Sequence, residues 1–138
     1  MKNKEKYNLA HLHIVERAGA TRLDGYITYV EIEYNGKIVK EYACTNEAGI
    51  KKFLEWLEEE YKPATLADKE EAYLSAVIKP FREEVESIKK IDIEEDEQQL
   101  QLQIPNGLVI MDFPLFKKGA MYRGMEEGRE YTLEELGL

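Results

Sequence analysis

Two histidines, His11 and His13, are the residues whose types and spacing most directly suggest chemistry. On a strand, side chains two residues apart lie on the same face, and two imidazoles can share a metal ion. A metal site needs at least one more ligand, and the sequence contains no other histidine and no Glu-x-x-His pattern. Two half-exposed strand histidines are therefore the simpler interpretation, and His11 and His13 stay a weak candidate metal pair.

Other reactive or charged groups match no catalytic pattern. Cys44 has no evident base beside it, and no serine lies in a Gly-x-Ser-x-Gly turn. The acidic stretch from Asp92 to Glu97 lacks the glycine and the spacing of an EF-hand loop, so a solvated hairpin turn is the simpler interpretation. The sequence therefore favours a non-enzymatic protein without a cofactor.

A basic, glycine-containing loop with aromatic residues is the first candidate binding surface. Its candidate residues are Lys117, Lys118, Tyr122 and Arg123, which are suited to holding a phosphate or stacking on a base. The loop matches no phosphate-binding or dinucleotide-binding pattern. The alternative, which we favour, is a folded loop with Phe116, Met121 and Tyr122 packed into the core.

An acidic helix is the second candidate surface. Glu55, Glu58 and Glu59 fall outside the apolar stripe of the predicted helix and form either its water-facing side or an acidic strip that imitates a phosphate backbone. Trp56 lies beside the stripe and either closes the edge of the core or faces a partner. We include all four as candidate partner-binding residues.

Charge and composition limit the classes of function. The chain of 138 residues has a formal net charge of -9, which disfavours direct binding to nucleic acid or to a membrane and favours a partner protein with a basic surface. A single cysteine excludes an internal disulfide, and neither a signal peptide nor a membrane span is recognisable. These features predict a cytoplasmic location; the oligomeric state is left open.

The region between residues 26 and 44 gives the clearest structural signal. Two β-rich runs flank Asn35-Gly36, the strongest short-range hairpin signal. A two-residue turn fixes the register and makes one face mostly apolar. The predicted pairs are Ile32–Val39, Thr28–Ala43, Glu31–Lys40 and Tyr29–Tyr42.

Two helices are predicted after the hairpin. The first is capped by Thr45 or Asn46, and its apolar stripe is Ile50, Phe53, Leu54, Leu57 and Tyr61. The second runs from Leu66 to Ile78 after a Thr65 cap, with a short continuation beyond Pro80. The apolar face of the second helix is predicted to be the structural hub: Tyr73, Leu74, Val77, Ile78 and Phe81.

The remaining segments complete an α+β fold. Strands are predicted over residues 9–18, 88–93, 98–104 and 108–111, a turn over 19–25, and frayed residues over 1–7. Thr132 to Glu135 forms a capping box for a short C-terminal helical turn. Antiparallel hairpin units thus flank a central helical pair. We predict a single domain, 1–138, with subregions 8–62 and 65–138.

The C-terminal half also resembles a recurrent module. The segments 73–82, 116–126 and 130–138 are similar to sequences in short uncharacterised proteins of phages and prophages of Firmicutes. The resemblance covers about residues 66–138 and implies a genomic context, but no activity and no catalytic residues.

These observations lead to one leading hypothesis and two alternatives. The leading hypothesis is a non-enzymatic, acidic accessory protein of a phage or mobile element that binds and modulates a host protein, for example an anti-CRISPR-like inhibitor of host defence. The first alternative is a small metal- or nucleotide-binding enzyme that uses His11 and His13 or the loop from Lys117 to Arg123. The second is a structural or oligomeric phage component.

Overall fold

The chain folds as an α+β protein with two antiparallel sheets, which confirms the predicted fold class. The structure is a computed structural model that describes residues 1–21, 25–110 and 113–138. The chain divides into two compact units, Met1–Lys62 and Pro63–Leu138. The division falls between the predicted subregions 8–62 and 65–138, whereas the assignment of both to a single domain stays a prediction.

The first unit contains a three-stranded sheet in the order β1-β2-β3 with helices at both ends of its sequence. A 3-10 turn, Leu9–His11, precedes β1, so this strand begins three residues later than predicted. The predicted turn 19–25 is too long, because residues 19–21 belong to the first strand and Gly25 begins the second, whereas residues 22–24 lie outside the described residues. The elements are α1 (Asn3–Lys6), β1 (Leu12–Thr21), β2 (Gly25–Tyr34), β3 (Lys37–Ala43) and α2 (Asn46–Glu58).

The hairpin of β2 and β3 is confirmed. Asn35 and Gly36 form its turn with φ values of 51° and 80°. Positive φ at both central residues is the requirement of a type I′ turn, whose twist matches that of the two strands. The local sequence therefore specifies this turn without help from the rest of the chain.

The register of the hairpin differs from the prediction after its first two pairs. A β-bulge lies between Ile32 and Glu33, and Ile32 pairs with Lys40 instead of Val39. The bulge allows the consecutive residues Ile38 and Val39 both to be buried, which a regular strand with alternating side chains does not permit. The predicted pairs Ile32–Val39, Glu31–Lys40, Tyr29–Tyr42 and Thr28–Ala43 are therefore wrong by one residue.

Helix α2 begins where predicted but buries a different face. The Thr45 hydroxyl accepts a hydrogen bond from the Ala48 N–H at 3.4 Å, which confirms Thr45 as the cap. Ile50 and Leu54, both predicted to be core, are 50% and 58% exposed. The face that packs in the unit is formed by Gly49, Phe53, Trp56 and Leu57.

A close contact between helix and sheet explains this rotation. A Cβ atom at Gly49 would lie 2.7 Å from both methyl groups of Val30, so Gly49 allows the helix backbone to approach β2. Phe53 and Trp56 lie four and seven residues after Gly49 and share its face. Ile50 and Leu54 are each one position further and are turned about 100° away.

The prediction that residues 1–7 are frayed is wrong. The N-terminal segment is packed against α2. The Asn3 side-chain Nδ2 donates to the Trp56 carbonyl at 2.7 Å, and the Asn3 backbone N–H donates to the Glu59 carbonyl at 2.9 Å. The Tyr7 ring stacks on Trp56 with 5.4 Å between the ring centroids. The two hydrogen bonds of Asn3 bind the carbonyls of Trp56 and Glu59 at the C-terminal end of α2, where the helix leaves carbonyls short of partners.

The second unit contains a sheet in the order β6-β5-β4-β8, with β7 also paired to β5. The predicted strands 88–93, 98–104 and 108–111 correspond to β4, β5 and β6, although Met111 lies outside the described residues. The elements are α3 (Asp68–Ile78), β4 (Ser87–Glu94), β5 (Glu97–Ile104), β6 (Leu108–Ile110), β7 (Phe116–Lys117) and β8 (Glu130–Tyr131).

Helix α3 supplies the centre of the second core, as predicted, with Leu74 and Ile78 fully buried. It begins two residues later than expected, because the residue before its first turn is Ala67 and not Thr65. A short 3-10 segment, Lys79–Glu84, continues it beyond Pro80 as predicted. Tyr73, predicted to share the buried face, is 43% exposed.

The C-terminal capping box is confirmed. The Thr132 hydroxyl accepts from the Glu135 N–H, and the Glu135 carboxylate accepts from the Thr132 N–H, both at 3.2 Å. The turn that follows places Leu136 in the core of the second unit. The sequence pattern alone was sufficient to place this turn.

Candidate functional site

An apolar cavity of about 260 Å³ in the second unit is the feature best suited to binding. Helix α3 and strand β5 each contribute one wall residue, and the segment between β6 and β8, which includes β7, contributes the others. The lining residues are Tyr73, Leu100, Phe113, Pro114, Leu115, Phe116, Met121 and Tyr122. An apolar cavity of roughly 150 Å³ accommodates benzene, so this one is large enough for an aromatic or branched aliphatic side chain.

The mouth of the cavity is apolar as well. Tyr73, Leu115 and Met121 line the cavity and are 43%, 51% and 40% exposed. Large apolar side chains that are both clustered and exposed commonly mark contact surfaces. The cavity is thus continuous with an apolar rim on the surface of the unit.

Tyr122, a wall residue, has an unusual backbone conformation that two side chains hold. Its φ is +54°, in the left-handed region that non-glycine residues rarely adopt. The Tyr122 N–H donates to Glu70 Oε2 at 2.7 Å, and its carbonyl accepts from Lys90 Nζ at 2.9 Å. The wall of the cavity is therefore fixed by charge-assisted hydrogen bonds, which are stronger than neutral ones.

Burial shifts the ionisation of two groups in this region. It raises the pKa of the Tyr122 hydroxyl to about 12, and it lowers the pKa of the Lys90 ammonium. The Tyr122 hydroxyl therefore keeps its proton to a higher pH than an exposed tyrosine does.

The same loop is attached to the beginning of α3. The second oxygen of Glu70 accepts from the Ala67 N–H at 3.0 Å, so one carboxylate joins the start of the helix to Tyr122. The Thr65 N–H donates to the Gly124 carbonyl at 3.2 Å. The cavity wall and the helix that faces it are therefore positioned together.

The cations of the loop have different environments. Lys118 Nζ lies 3.4 Å from Glu127 and 3.8 Å from Asp92. Lys117 is exposed on β7 and pairs across the sheet with Glu97. Arg123 is exposed, and its Nε donates to the Gly119 carbonyl at 2.6 Å. These three predicted binding residues lie beside the cavity-lining stretches, although none of them lines the cavity.

Tyr122 itself does not present an accessible surface, which corrects its assignment as an exposed binding residue. It is buried, and its ring lies 5.4 Å from that of Phe116. This part of the loop follows the alternative reading of a folded loop, except that Met121 is exposed. Tyr122 is a wall of the cavity.

The acidic helix is partly neutralised within its own unit. Glu58 accepts from Lys2 Nζ at 2.9 Å and from Lys4 Nζ at 2.7 Å. Glu55 and Glu59 are exposed and form no ion pair within the described part of the chain. Trp56 is buried between Tyr7 and Phe53, so its assignment to a partner-binding surface is corrected to a core position.

We expect the ion pairs of Glu58 to be visible in an acid titration. Hydrogen bonds from Lys4 and Lys2 lower the pKa of the Glu58 carboxyl from its usual 4.5 to about 2. A carboxyl with a depressed folded-state pKa stabilises the fold above its unfolded pKa and loses this effect as the pH falls through about 2.

Substitution of both lysines, Lys2→Met and Lys4→Met, should return the Glu58 pKa towards 4.5, measured from the carboxyl carbon chemical shift. Lys51 lies on α2, the helix that carries Glu58. Lys51→Met is therefore the control and should leave the titration of Glu58 unchanged. A Glu58 titration that is the same in the doubly substituted chain and in the original would disprove the pairing.

The two histidines are not presented as a strand pair. His11 belongs to the 3-10 turn before β1 and lies edge-on to the Tyr34 ring at 6.4 Å, whereas His13 is on the strand. The strand periodicity that would place both imidazoles on one face therefore does not apply. In the described part of the chain, no group of three His, Cys, Asp or Glu residues is arranged to hold a metal ion.

Several residues of the cavity were missed in the sequence. Pro114 and Leu115 belong to a stretch, 114–128, that was interpreted only as a loop, Phe113 was assigned to no element, and Leu100 was interpreted as an ordinary strand residue. The available signal was the density of large apolar residues in the loop between 113 and 122. Such a composition indicates a loop that packs against the fold, and here its apolar residues line the cavity.

Comparisons of the chain with models of protein families, with curated proteins and with solved structures give no match. Among the described residues, no helix is long and apolar enough to cross a membrane.

Proposed function

We propose that this chain is a non-enzymatic binding protein. The apolar cavity of its second unit receives a side chain of a partner protein. The observation that carries the proposal is the continuity of the cavity with the exposed rim of Tyr73, Leu115 and Met121. Pockets for small molecules usually enclose most of the ligand, whereas an anchor residue fills a pocket while its neighbours cover the rim. The exposed rim therefore favours a protein as the occupant.

The chemistry of the walls favours binding over catalysis. Of the eight described residues that line the cavity, only Tyr73 and Tyr122 carry a titratable group, and burial raises the pKa of Tyr122 to about 12. The residues considered for an enzyme do not support one. His11 and His13 are not side by side on one strand, and Lys118 already lies close to Asp92 and Glu127.

The biological setting of the proposal rests on the sequence. The resemblance of residues 66–138 to proteins of phages and prophages supports an accessory protein that acts in the host cytoplasm. A host protein is the proposed partner, and an anti-CRISPR-like inhibition of host defence is the proposed effect. The net charge of -9 and the exposed carboxylates of Glu55 and Glu59 support a basic surface elsewhere on that partner.

A structural or oligomeric component is the second candidate function. Ile50 and Leu54 are four residues apart on α2 and are both at least half exposed, as in helices that associate through an apolar stripe. A dimer or larger assembly in a solution mass measurement would favour this role. A monomer at all concentrations measured would exclude self-association.

The proposed function predicts that one rim substitution abolishes partner capture. Leu115→Glu places a charge at the mouth of the cavity, and because Leu115 is exposed, the fold should tolerate it. Leu54→Glu, at an equally exposed site on α2, is the matched control. A host protein captured by the wild type and by Leu54→Glu, but not by Leu115→Glu, is the expected result.

A different pattern would contradict the role of the cavity. If Leu115→Glu retained the partner, and if Glu55→Lys combined with Glu59→Lys lost it, the acidic helix would be the contact surface. Circular dichroism of each variant establishes that a loss of capture does not reflect unfolding.

A further inference from the structure

We infer that Arg123 is a carboxylate-binding residue, so that the partner segment carries an acidic residue next to the apolar anchor that enters the cavity. This inference rests on the proposed function, since it specifies the chemistry of the segment that the cavity receives. It differs from the general expectation for a chain of net charge -9, which is a preference for basic partners.

The position of Arg123 relates it to the cavity. It directly follows Tyr122, a wall residue, and its Nε donates to the Gly119 carbonyl. Gly119 lies in the turn between the two cavity-lining stretches of the loop, Phe113 to Phe116 and Met121 to Tyr122. The guanidinium is thus held against the turn that joins these stretches.

The hydrogen bond of Arg123 leaves its binding groups available. It uses Nε, and the two terminal nitrogens have no partner in the described part of the chain. A guanidinium is always charged, and its planar donors match the two oxygens of a carboxylate. Because one donor is already fixed, less conformational freedom is lost when a carboxylate binds.

The loop itself is basic, although acidic residues flank it. Between Asp112 and Glu126 the sequence contains three basic residues and no acidic one. Lys118 is compensated by Asp92 and Glu127. Lys117 follows the wall residue Phe116 on a strand, so its side chain belongs on the opposite face, across from Glu97. Arg123 is therefore the cation of the loop best placed to meet a ligand at the cavity.

Three labelled peptides test the inference by fluorescence polarisation. The first, Ser-Glu-Trp-Glu-Ser, has an aromatic anchor between carboxylates, and the second, Ser-Gln-Trp-Gln-Ser, replaces them with amides of the same shape. The third, Ser-Glu-Ala-Glu-Ser, lacks the anchor. One or two exposed ion pairs of ordinary strength correspond to a preference for the acidic peptide over the amide peptide of roughly 1.5- to 30-fold.

The variants assign that preference to one residue. In Arg123→Gln the acidic and amide peptides should bind equally, while both still bind through the tryptophan. Lys117→Gln also removes one positive charge, but from the face of β7 that is turned away from the cavity. This variant should retain the preference for the acidic peptide. The preference in the wild type should also diminish as the salt concentration rises.

The outcomes separate the inference from the proposed function. Equal binding of the acidic and amide peptides to the wild type would overturn the role of Arg123 and leave the cavity as the binding site. A preference retained in Arg123→Gln and lost in Lys117→Gln would also overturn it. Equal binding of the tryptophan and alanine peptides would instead contradict the cavity as an anchor site.

Discussion

The Trp56→Ala variant is expected to lose about 3–5 kcal/mol of unfolding free energy in the first unit, the usual cost of truncating a buried tryptophan. Trp56 is buried among aromatic rings, with Tyr7 at 5.4 Å and Phe53 at 6.3 Å. Its removal leaves a cavity between α1, α2 and the sheet. Urea unfolding followed by circular dichroism measures the loss.

A nearby apolar residue provides the control for this experiment. Leu54 lies on the same helix and is 58% exposed, so Leu54→Ala should change the unfolding free energy by less than about 0.5 kcal/mol. Both residues are large and apolar, and only their packing differs. If Trp56→Ala were as stable as Leu54→Ala and lost a partner, Trp56 would be a binding residue after all.

The Gly124→Ala variant is expected to destabilise the second unit by about 3 kcal/mol or more, since the added methyl group meets backbone atoms. A Cβ atom at this position would lie 2.8 Å from the Thr65 carbonyl carbon and still closer to its oxygen. Backbone cannot move aside as a flexible side chain can. The hydrogen bond from the Thr65 N–H to the Gly124 carbonyl would be displaced as well.

Gly119→Ala separates the steric effect at Gly124 from the general cost of replacing a glycine. Gly119 is in the same loop and has a φ of +80°, with nothing within 4 Å of its Cβ position. This variant should lose only about 1 kcal/mol, from backbone strain. Equal losses in the two variants would show that the contact with Thr65 is not what constrains Gly124. Amide hydrogen exchange of β4 and β5 provides the measurement.

Local signals in the sequence were sufficient to predict most of the helices, strands and turns of the fold. Asn35-Gly36 determines a turn, Thr45 a helix start and Thr132 to Glu135 a capping box, because each depends on contacts within a few residues. The register of the hairpin and the buried face of α2 were not predictable in the same way. The register depends on the burial of both Ile38 and Val39, and the buried face of α2 depends on the contact of Gly49 with Val30.

The candidate site was only partly accessible to sequence reasoning. Lys118, Arg123 and the aromatic residues of the loop were recognised, because their composition is unusual in an acidic chain. The cavity was not, because Tyr73 and Leu100 come to the loop from distant parts of the sequence. The hydrogen bonds that hold the Tyr122 backbone are also long-range, since Glu70 and Lys90 lie 52 and 32 residues from Tyr122 in the sequence.

Site-specific photo-crosslinking of the full chain to its captured host partner tests most directly whether the cavity is the contact site. A photoreactive residue is placed at Leu115, on the rim of the cavity, or at Glu55, on the exposed face of α2. We expect a crosslink to the partner from position 115, and its loss when an excess of the tryptophan peptide competes for the cavity. A crosslink from position 55 with none from position 115 would contradict the cavity as the contact site.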